Sequence, residues 1–179
     1  MKKLNLGCGM DVKQGWVNLD SASLPGVDVA HNLDVLPLPF EDEVFDEILC
    51  QDVLEHVNLS PLLSDLHRIL KKGGLISVRV PHFTSKNAYT DPTHRNFFAV
   101  RTFDFFLKSA IKGRGYYFGF AFDKMREKKI TFERSARLFF YNRFVSFFVN
   151  KSTRTQYIYE STFLSRLFPA ENIVVTLQK

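Results

Sequence analysis

The stretch that decides the fold is "KKLNLGCGMDVKQGWVNLD", residues 2–20. The apolar run "LNLG" predicts a short strand, and "WVNLD" predicts a second strand that ends at Asp20. Between them, Gly7 and Gly9 flank Cys8, and glycine after a strand permits a tight turn and a close approach of the backbone to a ligand. Only ten residues separate Gly9 from Asp20, too few for a full crossover helix and a strand. The stretch therefore has the outline of a nucleotide-binding βαβ start with a trimmed crossover, and a plain turn between two strands is the alternative.

The following residues continue this pattern of strands and helices. Further strands are predicted by three apolar runs, "VDVAHNL" (27–33), "FDEILCQ" (45–51) and "LISVRVP" (75–81). The segment "SPLLSDLHRILKKGG" (60–74) predicts a helix that has Ser60 as its N-cap and ends at Gly73. Strands that alternate with helices favour a parallel sheet covered on both faces.

The chain divides into an acidic half and a basic, aromatic half, although 179 residues suit a single domain, residues 1–179. Residues 1–80 carry 7 Lys and Arg against 12 Asp and Glu, and residues 81–179 carry 17 against 7. Seventeen of the 19 Phe residues also follow residue 80. A basic aromatic surface suits phosphates, nucleic acid or lipid headgroups. The alternative is a solvated basic face over a Phe-rich core.

The termini and the cysteines predict a cellular location. Lys2 and Lys3 run directly into a strand without a cleavable leader, and no apolar run reaches the length of a membrane-spanning helix. Two cysteines, Cys8 and Cys50, favour a reduced compartment over a disulfide scaffold. We therefore predict a cytoplasmic protein, with peripheral membrane contact left open.

Polar residues follow several predicted strands, where open α/β sheets bind their ligands. The Gly7–Gly9 turn, Asp20, Asp34 and residues 51–56 would converge on one crevice. An acid at the end of the second strand can accept both hydroxyls of a ribose. A turn-capping role is the alternative for Asp20.

Four segments, "LNLGCG", "NLD", "LPLPFEDEVFDEILCQDVLEHV" and "LHRILKKGGLISVRVP", resemble successive motifs of class I S-adenosylmethionine-dependent methyltransferases. The subgroup that they resemble acts on small molecules and in the ubiquinone pathway. The resemblance implies a Rossmann-like, mostly parallel sheet of seven strands, with the last strand antiparallel and helices on both faces. It implies S-adenosylmethionine as the cofactor, a cofactor-binding half (1–81) and an acceptor-recognition half (82–179).

The resemblance also implies roles for individual residues. Gly7, Cys8 and Gly9 would line the methionine end of the cofactor, and Asp20 would bind the ribose hydroxyls. Leu33 and Asp34 would contact the adenine. Gln51 and His56 would lie beside the sulfonium. The first motif departs from the family because Asp11 follows Met10 where a third glycine is expected. A degenerate fold without catalysis is the alternative.

Three residues after the fifth strand are predicted to be catalytic. His82 directly follows that strand and should face the crevice, and Asp91 and His94 lie in the loop "DPTHRNFF" (91–98). An acceptor hydroxyl must lose its proton, and histidine beside an orienting carboxylate suits that task near neutral pH. A plain turn also explains Asp91-Pro92-Thr93. A divalent-metal site formed by the same three residues is the weaker alternative, because the usual zinc spacings are absent, and no metal ligand is assigned.

The acceptor is predicted to be a small molecule or a sugar. An "NPPY"-like motif and a cysteine placed for attack on a pyrimidine are both missing, which disfavours a nucleic acid. The "DPTHRNFF" loop and the ending "YESTFLSRLFPAENIVVTLQK" resemble methyltransferases associated with bacterial surface polysaccharides. That resemblance implies a sugar hydroxyl, on an anionic nucleotide-linked or lipid-linked glycan. A non-catalytic binding module and an RNA methyltransferase are the alternatives.

The segment "RLFFYNRFVSFFVNKSTR" (137–154) combines aromatic and cationic residues. It is too short to span a bilayer, but a helix of this composition suits the plane of a membrane interface. A core or dimer contact is the alternative. The spacing does not distinguish the two, because apolar residues occur at nearly every position.

Overall fold

A computed structural model describes residues 1–109, 117–133 and 140–179. Its centre is a sheet of seven strands in the order β3-β2-β1-β4-β5-β7-β6. The strands are β1 (Lys3–Leu6), β2 (Val17–Asp20), β3 (Val29–Ala30), β4 (Phe45–Gln51), β5 (Leu70–Pro81), β6 (Lys124–Ile130) and β7 (Asn172–Gln178). Neighbours among β1 to β5 pair in parallel, whereas β7 runs antiparallel to both β5 and β6. The predicted sheet, with its antiparallel last strand, is confirmed.

Five α-helices accompany the sheet in the described ranges: α1 (Leu59–Ile69), α2 (Asn87–Thr90), α3 (Asn142–Val149), α4 (Thr153–Ser161) and α5 (Leu164–Leu167). A short 3₁₀ helix spans Thr102–Phe106. Within these ranges, none of the helices has both the length and the apolar character needed to cross a bilayer.

One face of the sheet is fully buried. Its strands contribute residues such as Leu6, Ile48 and Val78, and α1 packs its leucines at positions 62, 63 and 66 against them. Aromatic side chains from the second half complete this core: Phe98, Phe103, Phe106 and Phe122. Burying each large side chain contributes about 1.5–3 kcal/mol. The second half is therefore part of the core that supports the first.

The opposite face of the sheet is only half-buried along β4, β5 and β7, as at Leu49, Ser77 and Val174. Helix α3 approaches this face at one end. There Ser146 lines a cleft of about 600 Å³ together with those strand residues. The connection from β1 to β2 contains no helix.

Two buried amide side chains replace the crossover helix between β1 and β2. Asn5 Nδ2 donates hydrogen bonds to the Asp11 carbonyl (2.8 Å) and to Asn18 Oδ1 (3.1 Å). Asn18 Oδ1 also accepts from the Lys13 N–H (2.9 Å), and Asn18 Nδ2 donates to the Lys13 carbonyl (3.1 Å). These bonds satisfy loop backbone groups that a helix would otherwise pair internally. The predicted trimming of the first crossover is confirmed, and this amide pair explains how the loop is held.

Helix α1 differs from its predicted limits at both ends. It begins at Leu59 behind Asn58 rather than behind Ser60, and the N–H of Asn58 is held by Asp34 Oδ1 at 3.0 Å. It ends at Ile69, after which β5 starts at once. Gly73 therefore does not end the helix. It lies inside β5 with φ +76°, in the left-handed region that favours glycine.

Helix α3 buries its polar side and exposes its aromatic side. Asn142 and Ser146 are buried with Val149, whereas Phe144, Phe147 and Phe148 are 66%, 70% and 63% exposed. Residues 140–154 of the predicted membrane-facing segment are described, and residues 137–139 lie outside the described ranges. The exposed phenylalanines argue against a core role for this part of the segment within the monomer.

Candidate functional site

A cleft of about 290 Å³ lies beyond the carboxyl ends of β1, β2 and β4. It brings together five of the eight residues that the resemblance assigned to the cofactor: Gly7, Asp20, Leu33, Asp34 and His56. Its other lining residues are Ser21, Asn32, Asp52, Val53 and Val57. We refer to it as the first cleft. Its position agrees with the general rule for ligands of open α/β sheets.

The turn after β1 has the backbone geometry that its glycines permit. Gly7 and Gly9 have φ of +63° and +49°, which other residues rarely adopt. A Cβ on Gly7 would lie 2.3 Å from Val53 Cγ2, so no larger residue fits there. Cys8 between them is buried, and this burial raises the pKa of its thiol. The turn thus places the backbone of Gly7, which carries no side chain, at the edge of the first cleft.

Asp20 is tied to the same turn. Its Oδ2 accepts a hydrogen bond from the Gly9 N–H at 2.7 Å, and its Oδ1 accepts one from the Ala22 N–H at 3.0 Å. The Ser21 hydroxyl also lies 3.4 Å from Oδ1. A carboxylate offers about four acceptor positions, so Asp20 keeps at least one position for a ligand hydroxyl. The backbone bonds fix the direction in which the carboxylate faces the cleft.

Asp34 links the first cleft to two other segments. Its Oδ1 accepts from the N–H of Asn58 before α1, and its Oδ2 accepts from Arg95 Nη1 at 2.9 Å. The Asn58 hydrogen bond, and then Arg95, hold the pKa of Asp34 below its usual value. Asp34 is therefore a charged anchor between the start of α1 and the loop 91–98.

Three of the predicted cofactor residues do not line the first cleft. Cys8 and Gly9 lie in the turn behind Gly7, and Gln51 lines the cleft on the half-buried face together with Arg79. Gln51 stands there because successive side chains of β4 point to opposite faces, and it follows the inward-facing Cys50. The structure thus separates Gln51 from the other predicted cofactor residues.

A second cleft of about 750 Å³ opens beyond β4 and β5. It includes two of the predicted catalytic residues, Asp91 and His94, and it shares Asp52 and His56 with the first cleft. The remaining lining residues are Glu55, Arg79, Pro81, Asn87, Thr90, Pro92, Glu171 and Asn172. The two clefts are therefore neighbours that meet at Asp52 and His56.

The loop 91–98 reaches this place by docking on the turn after β4. Asn96 Nδ2 donates hydrogen bonds of 2.8 Å to the carbonyls of Leu54 and Val57. The docked loop carries His94 to His56, and the two rings meet edge to face with centroids 4.6 Å apart. The sequence predicted both histidines as site residues but gave no sign of this contact.

The hydrogen bonds of the two rings define their tautomers. His94 Nδ1 lies 3.0 Å from the Ala88 carbonyl, which only accepts, so Nδ1 carries the proton. The Thr93 hydroxyl donates to Asp91 Oδ1 at 2.6 Å and can therefore accept from His56 Nδ1, which lies 2.8 Å away. In the neutral form of each ring, the lone pair is then at Nε2. Burial, followed by His94, lowers the pKa of His56, which favours the neutral ring.

Glu55 is the site residue that the sequence reasoning did not single out. Its side chain is 1% exposed, and Oε2 has no hydrogen-bond partner among the described residues. Burial raises its pKa to about 7. In the sequence, Glu55 is one acidic residue in the run "DVLEHV", which follows a predicted strand. A buried and an exposed glutamate cannot be distinguished from that run.

Asp52 stands where the clefts meet, and its backbone is strained. Its φ is +56°, and its carboxylate forms a two-pronged ion pair with the Arg79 guanidinium, including Nε to Oδ1 at 3.1 Å. The Asp52 N–H also donates to the Arg79 carbonyl at 2.9 Å. Left-handed backbone in a residue other than glycine persists only where surrounding bonds enforce it. Arg79 supplies those bonds.

The prediction that His82 faces the crevice is wrong. Its ring is fully buried, with Nε2 2.9 Å from Glu160 Oε1 and Nδ1 2.7 Å from the Thr84 hydroxyl. Glu160 Oε1 also accepts from the Val100 N–H at 2.6 Å. The residue follows β5 as predicted, but these partners turn it toward α4. His82 therefore joins β5 to α4 and lines neither cleft.

Solved structures with similar folds were found across almost the whole chain. An S-adenosylmethionine-dependent methyltransferase of Archaeoglobus fulgidus matches with a TM-score of 0.61 and 20% identity, over 99% of this chain and 86% of that one. The fold is that of S-adenosylmethionine-dependent methyltransferases. The cyclase SpnF shares it, with a TM-score of 0.56 and 13% identity over 99% of this chain and 74% of that one. So does a chain of the Haloferax volcanii complex that contains the Trm112 methyltransferase activator, with a TM-score of 0.57, 13% identity and coverages of 99% and 81%.

Sequence comparison adds a match in the first half. Residues 4–78 match the family model described as "Methyltransferase domain". An uncharacterized protein of Methanocaldococcus jannaschii is 54% identical over 48 residues, which is 26% of this chain and 21% of that protein. The match thus spans about a fifth of that relative. These findings confirm the predicted fold and support a methyltransferase that uses S-adenosylmethionine, whereas the ubiquinone-type subgroup stays a prediction.

Proposed function

We propose that the protein is an S-adenosylmethionine-dependent methyltransferase that methylates an oxygen atom of a sugar-containing acceptor. The observation that carries this proposal is the meeting of the two clefts at Asp52 and His56. A donor in the first cleft and an acceptor in the second would be neighbours beyond the carboxyl ends of the strands. Holding two reactants in this way supplies much of the rate enhancement in a bimolecular transfer.

The residues of the first cleft suit the cofactor. The Gly7 turn would hold the methionine end, since a Cβ there would meet Val53. Asp20 would accept the ribose hydroxyls, and Leu33 and Asp34 would contact the adenine. His56, at the junction of the clefts, would lie beside the sulfonium. Cys8 and Gly9 would act by shaping the turn. In this proposal residues 1–81 bind the cofactor and residues 82–179 recognise the acceptor.

The bound cofactor would supply an electrophilic methyl group, and the chain would align the acceptor and accept its proton. The acceptor oxygen would form the new bond to the methyl carbon as the carbon–sulfur bond breaks. Its proton would pass to Nε2 of His94, whose Nδ1 proton is held by the Ala88 carbonyl. Asp91 would act through Thr93 by orienting His56.

The chemistry of the second cleft favours a sugar over an apolar acceptor. Its lining contains the amides of Asn87 and Asn172 and the carboxylates of Asp91 and Glu171, which can pair with several hydroxyl groups. Helix α2 also carries the exposed Tyr89, which stacks on the Phe97 ring with centroids 5.0 Å apart. Such an aromatic pair offers a platform beside the cleft.

A partner surface is proposed on α3. Phe144, Phe147 and Phe148 are exposed, and the exposed cations Arg143 and Lys151 lie beside them. Aromatic residues next to cations suit an interface with anionic lipids. We propose that this surface contacts the membrane peripherally, which would bring the protein to a lipid-linked glycan acceptor.

The direct test supplies methyl-labelled S-adenosylmethionine with three acceptor pools: nucleotide sugars, lipid-linked glycans and total RNA. We expect label in a glycan pool with the wild type and a loss of about 10²–10⁴-fold in His94→Ala. Label in RNA alone would contradict the sugar acceptor and support the RNA methyltransferase. Cofactor binding without transfer to any pool would support the non-catalytic module instead.

A further inference from the structure

We propose that Glu55, His56 and His94 form a binding site for one divalent transition-metal cation in the second cleft. One donor atom from each residue lies within 4.8 Å of the donor atoms of the other two. The three come from the turn after β4 and from the docked loop 91–98. All three also line the cleft, so a cation can enter from solvent.

The carboxylate of Glu55 gives the clearest reason for a ligand. The side chain is 99% buried, and Oε2 has no hydrogen-bond partner among the described residues. A buried oxygen without a partner is costly, and native proteins nearly always satisfy such atoms. Glu55 lines the second cleft with both histidines, and a cation there would satisfy this oxygen.

The histidines are already oriented as metal ligands commonly are. Each Nδ1 is engaged, by the Ala88 carbonyl for His94 and by the Thr93 hydroxyl for His56. Neither Nε2 has a hydrogen-bond partner in the described part of the chain. Ligating histidines usually donate their second ring N–H to such a partner, which fixes the tautomer. The Asp91–Thr93 pair would be that support for His56.

The ligand types indicate the class of metal. Two imidazoles with one carboxylate suit Zn²⁺, Fe²⁺ or Co²⁺, whereas Mg²⁺ and Ca²⁺ prefer sets of oxygen ligands. Ligands at about 2.0–2.2 Å from Zn²⁺ stand closer together than the 4.8 Å limit observed here, so the side chains would rotate inward on binding. Three protein ligands would leave a position open to the acceptor.

If the proposed function holds, that open position would take the acceptor oxygen. A bound cation lowers the pKa of a coordinated hydroxyl and neutralises the charge that forms there. With the cation bound, His94 Nε2 would be a ligand and would no longer be free to act as the base, so the cation would activate the acceptor oxygen and its proton would leave to solvent. This use rests on the proposed methyl transfer. The binding of the cation itself rests only on Glu55, His56 and His94.

The test is a titration of chelator-treated protein with Co²⁺ alone, followed by visible absorption, with Mg²⁺ as a second cation. We expect one Co²⁺ per chain, no matching Mg²⁺ binding, and at least about 10-fold weaker Co²⁺ binding in Glu55→Gln and His94→Ala. His31→Asn is the matched control, because His31 lies outside the cleft and contacts the Val35 carbonyl. Its affinity should equal that of the wild type.

Thr93→Val provides a variant that keeps all three ligands and removes the hydroxyl that joins His56 to Asp91. We expect it to bind Co²⁺ about 10-fold more weakly while circular dichroism shows an intact fold. Absence of Co²⁺ binding by the wild type, or equal affinity in the wild type, Glu55→Gln and His94→Ala, would overturn the proposal. Because no cofactor or acceptor is present, the result is independent of methyl transfer.

Discussion

The backbone N–H of Gly9 donates a 2.7 Å hydrogen bond to Oδ2 of Asp20, which joins the turn after β1 to the end of β2. This contact accounts for a first cleft that forms without a crossover helix. The buried amides of Asn5 and Asn18 hold the intervening loop, and Asp20 fixes its glycine turn. In this protein, side chains therefore hold the glycine turn and the loop after it, which a crossover helix would otherwise hold in position.

Substitution of the two turn glycines should separate steric contact from backbone strain. Gly7→Ala places a Cβ 2.3 Å from Val53 Cγ2, whereas a Cβ on Gly9 meets nothing within 4 Å. In both variants, alanine in the left-handed region should lower the free energy of unfolding by about 1–2 kcal/mol. The clash with Val53 should lower it by about 1–3 kcal/mol more in Gly7→Ala. Urea unfolding measures both losses. Equal losses, or no partial recovery when Val53→Ala is added to Gly7→Ala, would contradict the packing described for this turn.

The amide pair of the trimmed crossover should behave as a coupled unit. Asn18→Ala leaves the Lys13 N–H and carbonyl without their partner, so we expect a loss of about 1–3 kcal/mol in the free energy of unfolding. Asn5→Ala should cost a similar amount, and the double variant should cost less than the two losses added together. Chemical denaturation of all four proteins completes this cycle. Strict additivity would show that the Asn5–Asn18 contact contributes nothing.

The sequence predicted the sheet well because strand patterns are local. The limits of β4 matched. Strand β1 is shifted by one residue at both ends, and β2 starts one residue later than predicted, whereas the predicted third strand is reduced to Val29–Ala30. The start of α1 was wrong because Asp34, far along the chain, holds the Asn58 N–H. Local residue preferences carry no information about such a contact.

The candidate site was less predictable because its contacts are long-range. Asp91 and His94 were identified from their loop, but the docking by Asn96 that brings them to His56 is a tertiary event. Glu55 was missed because burial alone distinguishes it from an ordinary surface glutamate. His82 was misplaced because Glu160, 78 residues away, determines where its ring points.

The pH dependence of stability should include a contribution from His67. Its ring lies against Phe122 and Phe120 at centroid distances of 5.2 and 5.7 Å, and burial lowers its pKa. The unfolded chain, whose histidine keeps a pKa near 6.5, therefore binds the proton more readily than the folded protein. The free energy of unfolding should fall as the pH drops below about 6.5.

His67→Gln removes the titrating group and keeps a hydrogen-bonding side chain at this position. Thermal unfolding between pH 5 and pH 8 should show a smaller pH dependence for the variant than for the wild type. An identical dependence in the two proteins would show that His67 does not contribute.

The exposed face of α3 gives a prediction about membranes. Phe147→Ser/Phe148→Ser should leave the fold intact, because both side chains are exposed. Co-sedimentation with anionic vesicles should be salt-sensitive in the wild type and lost in the double variant. Val149→Ser, which changes a buried neighbour, is the contrasting control and should mainly lower stability. Equal binding to neutral and anionic vesicles, or unchanged binding by the double variant, would contradict a lipid-facing role.

Isothermal titration with S-adenosylmethionine and S-adenosylhomocysteine tests the central claim most directly. The wild type should bind both, and Asp20→Asn should bind at least about 10-fold more weakly because one hydrogen-bonding carboxylate is lost at the ribose. Asp28→Asn is the matched control: Asp28 also accepts a hydrogen bond from β2, at the Asn18 N–H, but lies outside the first cleft. It should bind like the wild type. No binding by the wild type, or equal affinity in Asp20→Asn and the wild type, would contradict a cofactor site at the Gly7–Asp20 cleft.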